Sequence, residues 1–153
     1  MIREIDNPLL LNKILELAKN IPDTPLPTLE KMLIEALTSK EAKIFIDEKN
    51  NEIRGFIYAS VEQWQGEDVV FIQFTVIKPI QEERYIGFEF ITKMKLWAKE
   101  KGIKSIITVV KRNPKPFMRK YHFINEGTVL KMDVNNVTRN SRNFKEVENV
   151  TFI

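Results

Sequence analysis

The sequence predicts an α/β (α+β) domain: a mixed, mostly antiparallel sheet of six or seven strands with about four helices on its two faces. Three observations carry that reading. Val69 to Ile77 contains no charge. It is too β-branched and aromatic to prefer a helix, so it reads as a strand buried on both faces. A helical stripe follows, with Ile86, Phe90, Ile91, Met94, Trp97 and Ala98 at spacings of three and four. A second apolar run, Ile103 to Val110, comes directly after it, so strand, helix and strand form a parallel crossover.

The other elements follow in chain order. Met1 to Ile5 is a short strand. Asn7 caps a helix that has Pro8 at its first position and Leu10, Ile14, Leu17, Ala18 and Ile21 along one face. Pro22, Pro25 and Pro27 break the chain, and Thr28 to Ser39 forms a second helix with Leu29, Met32, Leu33 and Leu37 inward. Lys43 to Asp47 and Ile53 to Val61 are strands joined through Asn50-Asn51, a pair that tolerates positive φ and marks a hairpin. Gln65 to Asp68 is the next turn and leads into the central strand, which Pro79 ends. The crossover helix runs from about Ile86 to Lys101 and closes at Gly102, with Lys99 and Lys101 in its last turn. A short helix, Phe117 to Tyr121, precedes a last hairpin whose surer strand is Thr128 to Val134. Asn135 to Asn143 reads as an exposed loop, and Val147 to Ile153 is a candidate final strand. No repeat or linker interrupts the chain, so residues 1–153 are expected to form one domain.

Composition narrows the chemistry. A chain of 153 residues, 43% hydrophobic and 29% charged, is an ordinary globule with room for a core. With no cysteine and one histidine, His122, neither a thiolate nor a histidine zinc site is expected. No apolar run approaches the roughly 20 residues of a membrane span, and the amino end lacks the apolar core of a signal peptide. The expected compartment is cytoplasmic, with no membrane partner and a monomer or homodimer as the assembly. The two Asn-Val-Thr triplets at Asn136 and Asn149 are then chance matches to the glycosylation pattern. Ten Lys/Arg and one acid lie between Lys93 and Lys120, a net +9 in a chain whose total is +3. Such a run is either a solvated helix face or a surface for an anionic ligand.

Several local patterns, in order, resemble the GCN5-related N-acetyltransferase superfamily over nearly the whole chain. They are Ile77-Lys78-Pro79 at the end of the fourth strand, Ile86-Gly87 opening the third helix and Trp97-Ala98-Lys99-Glu100-Lys101-Gly102 closing it. Asn113 after the fifth strand and Arg119-Lys120-Tyr121-His122-Phe123 complete the set. The resemblance implies acetyl-CoA, or another acyl-CoA, as cofactor. It implies a cofactor site at Val76, Ile77, Arg84, Tyr85, Ile86, Gly87, Phe88 and Asn113. Tyr121 becomes the candidate acid for the departing thiolate, because a phenol with an ordinary pKa of about 10 is matched to an alkyl thiol. Glu62, at the end of the third strand, is the candidate base, and the neighbouring Gln73 faces the acceptor's entrance. His122 stands where the family usually has glycine, which implies a structural role.

The pyrophosphate loop departs from the family pattern. Counting from Pro79, the chain offers Glu82-Glu83-Arg84-Tyr85-Ile86-Gly87, of which only Ile86 and Gly87 match. At about 5 Å and an effective dielectric near 20, each acid would repel a phosphate charge by roughly 3 kcal/mol. The leading expectation is an acetyl-CoA-dependent N-acyltransferase, a transferase acting on an amine-bearing small molecule or protein. Two alternatives stay open: an inactive interaction module that keeps the fold, and, less favoured, nucleic-acid binding through the basic stretch.

Overall fold

The computed structural model describes residues 1–5, 7–19, 26–110 and 113–135. Among them run five strands: β1 (Ile2–Glu4), β2 (Ala42–Lys49), β3 (Glu52–Trp64), β4 (Glu67–Ile77) and β5 (Ile106–Thr108). They form one sheet in the order β1-β2-β3-β4-β5, antiparallel except for the parallel pair β4–β5. The four helices are α1 (Leu11–Ala18), α2 (Leu26–Thr38), α3 (Glu83–Glu100) and α4 (Lys115–Tyr121). The expected mixed, mostly antiparallel α/β architecture is therefore present.

Two tight turns set the registers. Asn50 and Asn51 have φ of 54° and 62°, and Gln65 and Gly66 have 50° and 83°. Both turns have positive φ at both central residues, the twist that a two-residue hairpin requires. The turn ahead of β4 is thus Gln65-Gly66 alone, with Glu67 and Asp68 already paired to Trp64 and Gln63. Side-chain alternation then divides the core. Ile44, Ile46, Phe56 and Tyr58 pack under α1 and α2 against Ile14, Leu29 and Leu33. On the opposite face Phe45, Ile57, Ala59, Val70 and Ile72 meet Ile86, Phe90, Met94 and Trp97 of α3. Asp47 is the one buried charge among the described residues, and Arg54 Nε donates to its Oδ2 at 2.6 Å.

Several expectations need correction. The middle of the sheet is β3, with β4 one place toward β5. Only the first half of β4 is buried on both faces: Val69, Val70 and Ile72 are buried, whereas Gln73, Val76 and Ile77 are half-buried and Thr75 is exposed. Pro27 lies inside the first turn of α2, where a missing N–H is harmless, so it does not precede that helix as a breaker. Asn7 caps as expected, its Oδ1 accepting from Leu9 N at 3.0 Å, but the first turn is a 3-10 turn, Pro8–Leu10. Thr128 to Val134 is not a strand. It pairs with nothing among the described residues, and Val129, Leu130, Met132 and Val134 are exposed. The candidate strand 147–153 and most of the loop 135–143 lie outside the described residues.

Candidate functional site

Three pairings, Val70–Ile106, Phe71–Ile107 and Ile72–Thr108, join β4 to β5, and then the two strands part. Thr108 Oγ1 donates to the Ile72 carbonyl at 3.3 Å and marks the last link. Beyond it β4 continues for five residues, Gln73 to Ile77, with no pairing on its β5 side among the described residues. The opening begins at an irregularity on the other side of the strand. Tyr58 pairs with Phe74 and Ala59 with Ile72, which leaves Gln73 as an extra residue, a β-bulge.

The bulge changes which backbone groups face the gap. Lys78 N donates to Arg54 O at 2.8 Å, so Arg54–Lys78 is a hydrogen-bonded antiparallel pair. Alternation along the ladder makes Phe56–Val76 the next such pair and turns the amides of Thr75 and Ile77 away from β3, toward the gap. The resemblance placed Val76 in the cofactor site. Val76 itself faces β3, and its two neighbours carry the available donors.

The helix that begins beside the gap starts earlier than its apolar stripe suggests. Glu82 is the N-cap, Glu83 the first residue, and Ile86 N already donates to Glu82 O at 2.9 Å. The six residues counted as a phosphate loop are therefore the helix's first turns. Arg84 and Tyr85 are exposed there, and their amides precede the first intrahelical bond. Phe88 is also exposed. Ile86 and Gly87 are buried, and the Gly87 amide lies two residues past the last unpaired one.

What lies against Gly87 is Tyr121. A Cβ built on Gly87 would collide with the Tyr121 hydroxyl, lie 3.0 Å from its Cζ and 3.5 Å from Cδ1 of Ile77. The absence of a side chain at 87 thus seats the phenol between α3 and the end of β4. The contact gives Gly87 a packing role against Tyr121. Phe117 packs edge-on to the Tyr121 ring, centres 4.9 Å apart, and Phe123 packs in turn on Phe117 at 5.1 Å. Burial pushes the Tyr121 phenol above its ordinary pKa; Glu83 adds to the rise and Arg84 opposes it. His122 ends α4 in the left-handed conformation, φ 61°, as its place in a glycine position implied. Asn113 Oδ1 accepts from Lys115 N at 3.1 Å, which shapes the entry to α4.

Glu62 stands on the other face of the sheet. Its Oε1 accepts from Ser60 Oγ at 2.9 Å, and Gln73 Nε2 donates to the same Ser60 Oγ at 3.1 Å. Tyr58 stacks with Phe74 beside them, ring centres 6.4 Å apart. Burial raises the Tyr58 pKa; Ser60 draws it down, and Glu62 and Glu35 raise it further. The structure therefore brings Tyr121, Gly87 and Ile77 together on the α3 face, and Glu62 and Gln73 together on the α1–α2 face. Sequence reasoning missed Ser60 and the bulge, since neither has a local signature.

Two clefts lie apart from these residues. One, of about 440 Å³, opens between α1 and α2 at Asn12, Glu16, Leu26 and Glu30. The other, of about 410 Å³, runs beside the second half of α3 at Thr92, Lys95, Leu96 and Lys104. The second falls within the basic stretch, where Trp97 is buried and Lys101 pairs with Glu41 at 3.0 Å. No helix among the described residues is long and apolar enough to cross a membrane.

No protein-family model matches the sequence, and no curated protein matches it. Solved structures do. The aminoglycoside 6'-N-acetyltransferase AAC(6')-IG from Acinetobacter haemolyticus superposes with a TM-score of 0.75 at 16% identity, covering 87% of this chain and 97% of that one. AAC(6')-Iy, in complex with a bisubstrate analog of CoA and acetylneamine, gives 0.75 at 20%, covering 87% and 96%. A predicted acetyltransferase with acetyl-CoA from Clostridium acetobutylicum gives 0.76 at 16%, covering 91% and 99%. Identities this low speak to architecture alone. On that evidence this chain has the GCN5-related N-acetyltransferase fold.

Proposed function

We propose that the chain, as a single domain, is an acetyl-CoA-dependent N-acyltransferase that transfers an acetyl group to an amine. The observation that carries this reading is the parting of β4 from β5, with the Thr75 and Ile77 amides turned into the gap and the Tyr121 phenol at its end. The likeness to acetyltransferases solved with CoA or acetyl-CoA supports the same reading. The residues fit an acyl-CoA at two places. Backbone donors face the gap, and the exposed first turn of α3 offers the amides and side chain of Arg84 and Tyr85 to a diphosphate. Val76 on β4 and Phe88 on α3 border these places.

Bound there, acyl-CoA supplies an electrophilic thioester carbonyl. The chain's own groups do the rest. The Thr75 or Ile77 amide donates to the carbonyl oxygen and stabilises the charge that develops on it. Tyr121 donates its proton to the leaving sulfur; its raised pKa keeps that proton in place through neutral pH. Glu62 takes the proton that the attacking nitrogen must lose.

One observation favours a second reading, a fold kept without cofactor. Glu82 and Glu83 are exposed at the start of α3, and Glu83 is close enough to act on Tyr121. Calorimetry and thermal shift with millimolar acetyl-CoA separate the two. The transferase reading expects heat and a raised melting temperature; neither signal would leave the interaction module.

A further inference from the structure

We propose that Ser60 is a positioning residue and proton relay between the acceptor amine and Glu62, and that the Gln73 amide makes the site select an N–H donor as acceptor. The inference deepens the transferase reading and rests on it.

The argument starts from hydrogen-bond polarity. Ser60 is buried, and its hydroxyl has one proton to give. An ionised carboxylate can only accept, so that proton lies toward Glu62 Oε1, 2.9 Å away. Ser60 Oγ must then accept from Gln73, which fixes the amide with Nε2 toward Ser60, at 3.1 Å. The remaining polar atom of Gln73 is its Oε1, an acceptor, and it has no partner among the described residues. Gln73 is also the bulge residue and the first residue past the last β4–β5 pair. The acceptor atom and the relay therefore start at the apex of the gap where the thioester is placed. A primary amine brings an N–H that Gln73 Oε1 can accept. Glu62 is exposed, so a proton delivered to it returns to solvent.

The step balances. The neutral amine nitrogen forms the C–N bond and becomes positively charged. Its proton passes to Ser60 Oγ as the Ser60 hydroxyl proton passes to Glu62 Oε1. The C–S bond breaks, and the sulfur takes a proton from Tyr121, which solvent restores. An alcohol has a single O–H proton; given to Ser60, it leaves none for Gln73 Oε1, whereas a primary amine keeps a second N–H for it.

The test uses the full chain, acetyl-CoA, and n-butylamine and n-butanol as matched probes. Acetyl-CoA binding is first measured alone by calorimetry. Wild-type protein is expected to acetylate the amine and not the alcohol. Its rate in H2O/D2O mixtures should follow a bowed curve, since two protons move together. Ser60→Ala should keep acetyl-CoA affinity and lose at least about tenfold in kcat/KM, within the range of general-base effects. It should also lose the bowing. Ser60→Thr, which keeps the hydroxyl, should restore both and guards against a folding effect. Equal rates and an unchanged isotope curve in Ser60→Ala would overturn the relay. Acetyl-CoA binding without amine turnover, or with equal alcohol turnover, would overturn the amine assignment. Absence of acetyl-CoA binding would overturn the transferase reading itself, and this inference with it.

Discussion

The Tyr121 hydroxyl fills the space that a side chain at Gly87 would need. Two residues far apart in the chain are thereby coupled, the phenol taking its position from the missing Cβ. Gly87 is buried in α3, so helix preference and packing pull in opposite directions there.

Gly87→Ala should gain about 1 kcal/mol of helix propensity and lose more to overpacking, about 1–3 kcal/mol. A net loss of stability in urea is expected, against the gain that an exposed helix glycine would give. Tyr121→Phe in the same chain should recover part of it, because the hydroxyl is the atom hit hardest. Additive effects of the two changes would show that the contact does not exist.

In the proposed transfer the proton on Tyr121 should set the alkaline limit. Burial, the largest cause, and Glu83 both raise its pKa. The acid works while protonated, so activity is held up to the raised pKa and lost above it. Glu83→Gln removes one raising influence and should move the alkaline limb of kcat to lower pH; Arg84→Gln removes a lowering one and should move it up. Tyr121→Phe should lower kcat by about 100-fold with little change in acetyl-CoA affinity. A limb unmoved by either charge change would assign the acid elsewhere.

Amide exchange reads the bulge directly. Val70 and Ile72 lie within the paired part of β4 and should be among the slowest to exchange. Beyond the bulge the pattern should alternate: Phe74 and Val76 slow, Thr75 and Ile77 fast. Saturating acetyl-CoA should slow the fast pair. Uniform protection from Val69 to Ile77 would mean that the gap is closed.

His122→Gly should stabilise the chain by about 0.5–1 kcal/mol, since glycine adopts φ near 61° without the Cβ penalty. A rise of a few degrees in melting temperature, with kcat unchanged, is the expected result. Lower stability would mean that the imidazole makes a contact worth more than the strain.

The sequence carried what is local. The charge-free run of β4, the stripe from Ile86 to Ala98 and the Asn50-Asn51 turn each encode their own geometry, and each element formed. The start of α3 was read one turn late because Glu83, Arg84 and Tyr85 carry no apolar periodicity and Glu82 makes no side-chain cap. Thr128 to Val134 has strand composition, but a strand needs a partner, and composition does not supply one. The Gly87–Tyr121 contact and the Gln73 bulge depend on what another strand or helix brings alongside. Neither leaves a trace in its own neighbours.

The sheet also acts as a septum. Tyr121 and Glu62 stand on its opposite faces, and they can serve one carbon only through the breach between β4 and β5. Two reactants that approach from opposite sides do not compete for one entrance. Both can be bound at once, so the proposed transfer is expected to run through a ternary complex with no acylated residue of the chain. Initial-rate lines at several amine concentrations should intersect rather than run parallel, and free CoA should compete with acetyl-CoA but not with the amine.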